Sequence, residues 1–419
     1  MQRHFKTGVN QETEQSSETP SRIFYGYTIV TVAFFIMVLI VGTANSYGVF
    51  LKPMITEFNW SRGTMSGALS LAVIVRGFAS IAMGEFTDRF GPRTVLTLCG
   101  IIMGLGYLLL SQINAIWQLY LFYGIIIGTG FGSTFTPLLS TISRWFVERR
   151  SVMTGVVIAG AGVGTLIMAP VVSQLITMYG WRVSFSIVGS LILAFVILAA
   201  QFLRRDPAQV GQVAYGEVKE GDPTLTTSSD SFSLKQAIHT KQLWTVCAVF
   251  LCLGFVMMVI LVHIVPHATD LDISTASAAS ILATVGGVSI AGRIALGAVA
   301  DRIGNKQVFL IGFALISISL LWLTQATDTW MLFLFAVIFG FAYGGCTATM
   351  PPLVAKLFGL SSHGLLLGIT EFTWTIGGAL GPFIAGYIFD VTGSYQVPFL
   401  ICTSMGILGF ILTWILTPT

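Results

Sequence analysis

Long and nearly uncharged apolar runs dominate this sequence and limit what it can fold into. The stretch LWTVCAVFLCLGFVMMVILV, which begins at Leu243, is the plainest of them. A run of about 20 apolar residues spans the bilayer core, which is roughly 30 Å thick, as an α-helix. Lipid offers no hydrogen-bond partner to a bare peptide group, so each span must be helical. With 54% hydrophobic and 9% charged residues, the chain is predicted to be an all-α, multi-pass membrane protein.

Polar interruptions divide the apolar runs into twelve predicted transmembrane helices. The predicted spans are 25–50, 63–85, 94–113, 116–142, 151–178, 182–203, 243–268, 276–299, 307–325, 328–354, 364–388 and 396–416. The long polar stretch 204–242 is interpreted as a cytoplasmic linker between a six-helix bundle over 23–203 and another over 243–419. The polar tail 1–22 is predicted to be disordered.

The distribution of Lys and Arg predicts the orientation in the membrane. With the N-terminus inside, sixteen of the 21 basic residues fall on the cytoplasmic side and three on the opposite side. The remaining two, Arg76 and Arg293, lie inside apolar spans. Because cytoplasmic loops carry the excess of Lys and Arg, we expect both termini in the cytoplasm and a location in the plasma or inner membrane.

Two short ionic segments repeat each other across the chain. GEFTDRFGPR occupies 84–93 and GAVADRIGNK occupies 297–306, each joining an even-numbered helix to the next. The matched positions, 213 apart, are Gly84 and Gly297, Asp88 and Asp301, Arg89 and Arg302, Gly91 and Gly304, and Arg93 and Lys306. We interpret the halves as parallel repeats, with the charged positions forming gating ion pairs at a pore mouth. The alternative, a merely basic cytoplasmic loop, does not explain the matched Asp and Gly residues.

These segments carry a resemblance to a known family. G-x-x-x-D-R-x-G-x-R after helix 2, echoed after helix 8, resembles the signature loop of the major facilitator superfamily. The segments NSYGVFLKPMITEFNWSR, RWFVERRSVMTGVVIAGAGVG, GRIALGAVADRIG and GALGPFIAGYIFDVTGSY resemble the branch of monocarboxylate transporters and oxalate:formate antiporters. The resemblance implies two halves that rock around a central site and carry small organic anions, often with a proton. The sequence holds no nucleophile–base or metal constellation, so we do not expect an enzyme.

Arg293 is the leading candidate for binding substrate. A charge inside the membrane costs about 2.5–3.5 kcal/mol even on lenient scales, so a charged residue in a span indicates a functional or structural role. Arginine keeps its charge and presents a planar fork that matches a carboxylate. The resemblance agrees, because the family carries an arginine four residues before the loop glycine of helix 8, as in RIALG. The alternative is a buried structural ion pair. Further predicted binding residues are Asn45, Tyr47, Ser133, Ser289 and Tyr343.

Two other charges lie deep in predicted spans. Arg76 is in helix 2 and Glu371 is in helix 11. The resemblance implies that these helices pack against each other, so we predict an Arg76–Glu371 pair that stabilises one access state. The alternatives are that Glu371 faces Arg293 and that Arg76 snorkels or faces a water-filled cleft.

Helix 7 ends in a polar stripe at helical spacing. His263, His267 and Asp270 stand at i, i+4 and i+7, and Pro266 loosens this helix. Imidazole and buried carboxylate groups can carry protons, so these three residues and Glu371 are the predicted proton-coupling groups. We predict that Asp270 faces Arg293 across the cavity. The alternative is an interfacial role at the outer helix end.

The sequence departs from the family pattern at three positions. Asn45 stands where the animal monocarboxylate members carry a lysine, and Ser289 where they carry an aspartate. Glu371 stands in the helix that holds a lysine in the oxalate carrier. With Arg293 as the one predicted cation of the cavity, a singly charged substrate is favoured.

We therefore predict a proton-coupled symporter of a small monocarboxylate such as lactate or pyruvate, working by alternating access. The alternatives are an exchanger of dicarboxylates or other organic anions, and a transporter-like sensor that moves no solute. The expected partners are the organic anion, protons and the lipid bilayer, with no nucleic acid, cofactor or metal ion. The chain is expected to function as a monomer.

Overall fold

The computed structural model describes residues 24–60, 62–216 and 234–416, so the predicted disordered tail lies outside the described residues. Eleven described helices are long and apolar enough to cross a membrane. The longest of them, Arg150–Ala200, breaks at Gly180, where φ is 77° and ψ is 163°. Glycine adopts this conformation without the strain that a Cβ would bring. This break divides the helix into two spans, so the described part of the chain contains the twelve spans that the sequence predicts.

We number these spans α1 to α12 in chain order. They are α1 Tyr25–Asn45, α2 Arg62–Phe90, α3 Pro92–Leu110, α4 Ile116–Trp145, α5 150–180, α6 181–200, α7 Lys241–Asp270, α8 Thr275–Ile303, α9 Asn305–Leu323, α10 Thr329–Phe358, α11 His363–Thr392 and α12 Gln396–Ile415. After Ser46, α1 continues as a shorter helix, Tyr47–Phe58. The middle of α4 is a π-helix, Tyr120–Ile127.

Part of the predicted linker folds against the first bundle. The indole N–H of Trp145 donates to the Arg204 carbonyl at 2.9 Å, and the Val147 amide donates to the Tyr215 carbonyl at 2.9 Å. A short helix, Leu234–Ile238, precedes α7. The rest of the predicted linker, 217–233, lies outside the described residues.

The two halves meet at two helix crossings, α2 with α11 and α8 with α5, which use residues at matching repeat positions. Glycines allow the backbones to touch. A Cβ on Gly84 would strike the Gly364 carbonyl, and a Cβ on Gly297 would lie 2.8 Å from the Ser151 carbonyl oxygen. One turn deeper, Gly368 packs on Ser80 in the first crossing and Gly155 packs on Arg293 in the second. The same contact is therefore built twice, with its members 213 positions apart.

Both crossings end in an aspartate that caps the opposite helix. Asp88 accepts the backbone N–H groups of Gly364 and Leu365, at 3.2 and 3.0 Å. Asp301 accepts those of Ser151 and Val152, at 2.8 and 3.0 Å. A carboxylate at a helix N-terminus satisfies orphan amides and complements the helix dipole. The turns that follow use Gly91 and Gly304 at φ 80° and 98°. We call this end of the molecule the charged end.

Away from the charged end the halves separate. The α8–α5 crossing still makes contact where Gly162 approaches Ile290. One turn further along α8, a Cβ on Gly286 or Gly287 would meet no atom within 4 Å, and the same holds for Gly48 at the end of α1. The halves are thus in contact at the charged end, and beyond its middle α8 borders open space at Gly286 and Gly287.

The glycine contacts predict how the charged end responds to one added methyl group. In Gly84→Ala, the Cβ would strike backbone that has no room to move, at a cost of about 1–3 kcal/mol in the closed state. We expect the closed population, read from the distance between spin labels at the exposed positions 90 and 414, to fall by about fivefold or more. Gly286→Ala, which fills open space in another span, is the control and should leave the distance distribution unchanged. An unchanged distribution in Gly84→Ala would contradict this account of the crossing.

Candidate functional site

The centre of the candidate site is the guanidinium of Arg293 in α8. The residue is 7% exposed, and the side chain reaches across to the other half, where its Nη1 donates to the Ile158 carbonyl at 3.4 Å. The Tyr343 hydroxyl of α10 is a second polar group that interacts electrostatically with the guanidinium. In the part of the chain that the structure describes, its Nε has no hydrogen-bond partner. Within the described residues, no carboxylate oxygen lies within 4.0 Å of Arg293.

This arrangement leaves a permanent positive charge incompletely satisfied. A buried charge is stable only when it is paired or well hydrogen-bonded. The polar neighbours of Arg293, the Ile158 carbonyl and the Tyr343 hydroxyl, are both neutral. They are too few for a guanidinium, which has five N–H donors in a planar fork. The open space along α8 begins at Gly287, six residues or about 9 Å from Arg293. The chemistry offered is therefore charge-assisted hydrogen bonding to a carboxylate-like group.

A second charged group borders the same region. Arg76 of α2 pairs with Glu371 of α11, with 3.8 Å between Nη2 and Oε2, and the two side chains are 19% and 15% exposed. The structure thus places Glu371 beside Arg76 and not in an ion pair with Arg293. Tyr343 lies within electrostatic reach of all three charged side chains, so it connects the pair to Arg293.

Aromatic rings surround the Arg76 guanidinium. Its Cζ lies 4.6 Å from the Phe131 ring centroid, 5.1 Å from that of Phe135 and 5.9 Å from that of Trp374. Cation–π attraction grows when the cation is shielded from water. Together with Glu371, these rings hold Arg76 in place, so snorkelling to the membrane surface is the wrong interpretation of this residue.

The other predicted binding residues do not gather around Arg293. Asn45 is exposed and donates to the Thr165 hydroxyl at 2.9 Å. Tyr47 stacks on Tyr123 and donates to the Met65 carbonyl at 3.1 Å. The two buried serines donate within their own helices, at 2.9 Å for Ser133 in α4 and 2.7 Å for Ser289 in α8.

The expectation that Asp270 faces Arg293 is wrong. Asp270 is the exposed last residue of α7, close to the start of α8 at Thr275. Arg293 stands eighteen positions further along α8, which is about 27 Å at 1.5 Å per residue. The sequence placed both groups in one cavity, but the length of α8 separates them.

The two histidines of the stripe pack inside the second half. The ring nitrogens of His263 lie 3.2 Å from the Tyr395 hydroxyl and 3.0 Å from the Pro382 carbonyl oxygen. The ring of His267 packs edge-on against Phe399, with centroids 4.9 Å apart. These contacts tie α7 to α11 and α12. They favour the interfacial and structural interpretation over a part in the central site.

At the charged end, some of the predicted gating residues contact the opposite half and others contact only their own half. Asp88 and Asp301 bridge the halves by capping, as described above. Arg89 pairs with Glu85 in its own helix at 2.6 Å, and Arg93 donates to Gln201 at 2.7 Å. Lys306 donates to the Trp414 carbonyl at 2.9 Å, and Arg302 is exposed. The matched basic residues therefore do not bridge the halves as the acids do.

Sequence reasoning missed the strongest ion network of the charged end. Arg144, at the end of α4, lies 3.3 Å from Asp88 and 3.5 Å from Asp206, and it also donates to the Leu360 carbonyl. It thereby joins α2, the chain after α6 and the loop before α11. In the sequence, Arg144 could not be distinguished from the other arginines predicted to lie on the cytoplasmic side. No local pattern marks a residue whose partners come from three distant segments.

The fold and the site together define a class of protein: a multi-pass helical membrane transporter built from two six-helix halves. The model of the Major Facilitator Superfamily matches residues 33–305 and 264–419, and the chain belongs to that superfamily. Its activity is therefore that of a transporter and not of an enzyme.

The curated relatives narrow the branch to the monocarboxylate transporters. The chain is 29% identical to monocarboxylate transporter 13 of Rattus norvegicus, covering 92% of this chain and 87% of that protein. It is 27% identical to monocarboxylate transporter 7 of Homo sapiens, covering 91% and 84%.

Solved structures share the fold. The proton:xylose symporter XylE matches with a TM-score of 0.74 at 17% identity, covering 93% of this chain and 95% of that one. The transporter FucP, in its outward conformation, matches with a TM-score of 0.72 at 14% identity, covering 95% and 100%. At these identities the likeness concerns the fold alone.

The Arg76–Glu371 pair predicts a coupled loss of stability. Arg76→Gln or Glu371→Gln alone leaves one buried charge unpaired, which costs up to about 3–5 kcal/mol, whereas the double variant leaves none. We expect the melting temperature in detergent to fall in each single variant and to recover largely in the double variant. Glu85→Gln, which breaks the exposed pair with Arg89, is the control and should cost at most about 1 kcal/mol. A double variant no more stable than the worse single variant would show that the two side chains are not coupled.

Proposed function

We propose that this transporter carries a small, singly charged carboxylate such as lactate or pyruvate together with a proton. The observation that carries the proposal is the buried Arg293 fork, which has no acidic partner among the residues that the structure describes. A monocarboxylate supplies one negative charge and two oxygens in the geometry that this fork matches. The relatives at 27–29% identity bear the name of monocarboxylate transporters, which supports the same class of substrate.

A single cation sets the charge of the proposed substrate. Arg76 is neutralised by Glu371, so Arg293 alone has charge to offer an incoming anion. A dicarboxylate would bring one carboxylate too many into a poorly hydrated site, where an unpaired charge is costly. While Glu371 is ionised, charge balance therefore favours a monocarboxylate over a dicarboxylate exchanger.

Glu371 is the proton carrier in this proposal, in place of Asp270. It is the acid near the site, and its contact with Arg76 is long at 3.8 Å. An anion on Arg293 adds a second negative charge close to Glu371 and so favours a proton on that carboxylate. Protonation in turn weakens its hold on Arg76 and hence the α2–α11 crossing. Substrate and proton would thus be required together before the charged end opens.

The access cycle follows from the two crossings. We propose that the charged end faces the cytoplasm, since the loops there carry most of the Lys and Arg. The described state is closed at that end, which makes Arg293 accessible from the other side. Rocking of the halves would break the caps at Asp88 and Asp301 and expose the site to the cytoplasm.

Removing the fork is the first test. In proteoliposomes, Arg293→Gln should weaken apparent lactate affinity by about 10- to 100-fold, the amount expected for losing charge-assisted hydrogen bonds. Arg293→Lys should retain part of the affinity, because it keeps the charge but not the fork. Lys241→Gln, an exposed charge outside the site, is the control. Unchanged uptake in Arg293→Gln, after subtraction of leakage into protein-free vesicles, would exclude this site.

The proton step has its own test. An acidic exterior should accelerate uptake by the wild type, whereas Glu371→Gln should lose this stimulation and keep exchange of internal for external substrate. Asp270→Asn should respond to the gradient like the wild type, because Asp270 lies at the outer end of α7. Full gradient stimulation in Glu371→Gln would contradict the assignment, and exchange without any gradient effect in the wild type would favour an exchanger.

A further inference from the structure

A polar cavity of about 340 Å³ lies at the charged end. Its wall includes Asp301, which is eight residues or about 12 Å along α8 from Arg293. The cavity opens where the end of α8 meets the start of α5, so both halves contribute to its wall. The residues that matter are Arg150 and Ser151 from the first half, and Asp301, Arg302, Asn305 and Lys356 from the second. A hydrogen bond of 3.2 Å from the Ser151 hydroxyl to the Asn305 side chain joins the halves at its edge.

The charges around this cavity do not balance. Three cations, Arg150, Arg302 and Lys356, face one acid, Asp301. Both Asp301 oxygens already accept backbone N–H groups of α5. Across the described ranges, none of the three cations has a carboxylate oxygen within 4.0 Å. The cavity wall therefore carries about two uncompensated positive charges.

The other crossing shows what a completed network looks like. There Arg144 lies between Asp88, Asp206 and the Leu360 carbonyl, and its side chain occupies the junction. The repeat offset of 213 places Leu357 at the matching position of the second half. A leucine side chain makes no ion pair, so the α8–α5 junction has a cavity where the α2–α11 junction has a partly buried arginine. The duplication is thus incomplete at this one place.

We propose that this cavity binds a phosphate group, and that the bound phosphate holds the charged end closed. A phosphate monoester carries nearly two negative charges at neutral pH, which matches the uncompensated charge of the wall. Arginine and lysine donors around one pocket are the usual partners of phosphate oxygens. Because Arg150 belongs to one half and Arg302 and Lys356 to the other, the anion ties the halves together only while this end is closed. By linkage, such a ligand shifts the population toward the closed state.

The phosphate can reach the cavity from two sources. A soluble phosphate ester would enter from the aqueous side, and an anionic phospholipid would insert its headgroup from the membrane surface, since the pocket lies at the ends of the spans. Both present the same group to the same three cations. The proposal concerns a site separate from Arg293 and stands whether or not the transported solute is a monocarboxylate.

The experiment measures thermal stability and the closed population of the full-length protein. In the soluble arm, inorganic phosphate is titrated in detergent against chloride at equal ionic strength. In the lipid arm, nanodiscs of phosphatidylcholine are compared with nanodiscs that also contain phosphatidic acid. The site variant is Arg302→Gln/Lys356→Gln. The control is Lys235→Gln/Lys241→Gln, which loses the same charge from exposed positions outside the cavity.

We expect phosphate to raise the melting temperature and the closed population of the wild type. Half-saturation should require at least about tenfold more phosphate in the site variant, and less than about twofold more in the control. A response confined to phosphatidic acid, lost in the site variant, would identify the lipid as the source and support the site. No response in either arm, or equal losses in the site and control variants, would overturn the proposal.

Discussion

The constraint on which the structure depends is the placement of one guanidinium in a span of the membrane. Arg293 is almost fully buried, and in the described part of the protein its guanidinium contacts only neutral groups. Its hydrogen bond to Ile158 crosses from one half to the other. Its backbone is also pressed against Gly155 at the α8–α5 crossing. Whatever neutralises this side chain therefore acts at the surface along which the two halves must move.

A comparison of the two repeats distinguishes the contacts that both crossings share from the charged residues that differ between them. Contacts at the two crossings match position by position, with glycines and capping aspartates in both. The charges differ between the crossings. Arg293 corresponds to Ser80, and Arg76 corresponds to Ser289, both at the offset of 213. The two crossings thus share one backbone geometry but carry different charged groups. The α2–α11 crossing holds the paired Arg76, and the α8–α5 crossing holds Arg293, which has no acidic partner among the described residues.

Much of this architecture can be predicted from the sequence, because its physical causes are local. The spans follow from apolar length, the break before α6 from Gly180, and the close crossings from glycines beside the repeated Asp. Arg293 and Arg76 were evident because charge in an apolar run is rare. The partners of these charged residues were harder to predict, because they depend on packing between helices that are distant in the sequence. The aromatic rings around Arg76 and the contacts of Arg144 have no signature within their own segments. Asp270 was predicted to face Arg293 although it ends α7 near the start of α8, and Arg293 lies eighteen residues further along α8.

The central claim is that a carboxylate of the solute, and not of the protein, completes the hydrogen bonding of Arg293. A crystal structure with a bromine-labelled monocarboxylate, read by anomalous scattering, tests it most directly. The account predicts bromine in the open space beyond Arg293 and carboxylate oxygens within hydrogen-bond distance of the guanidinium and of Tyr343. Label bound elsewhere, with an acidic side chain of the protein on Arg293, would contradict it.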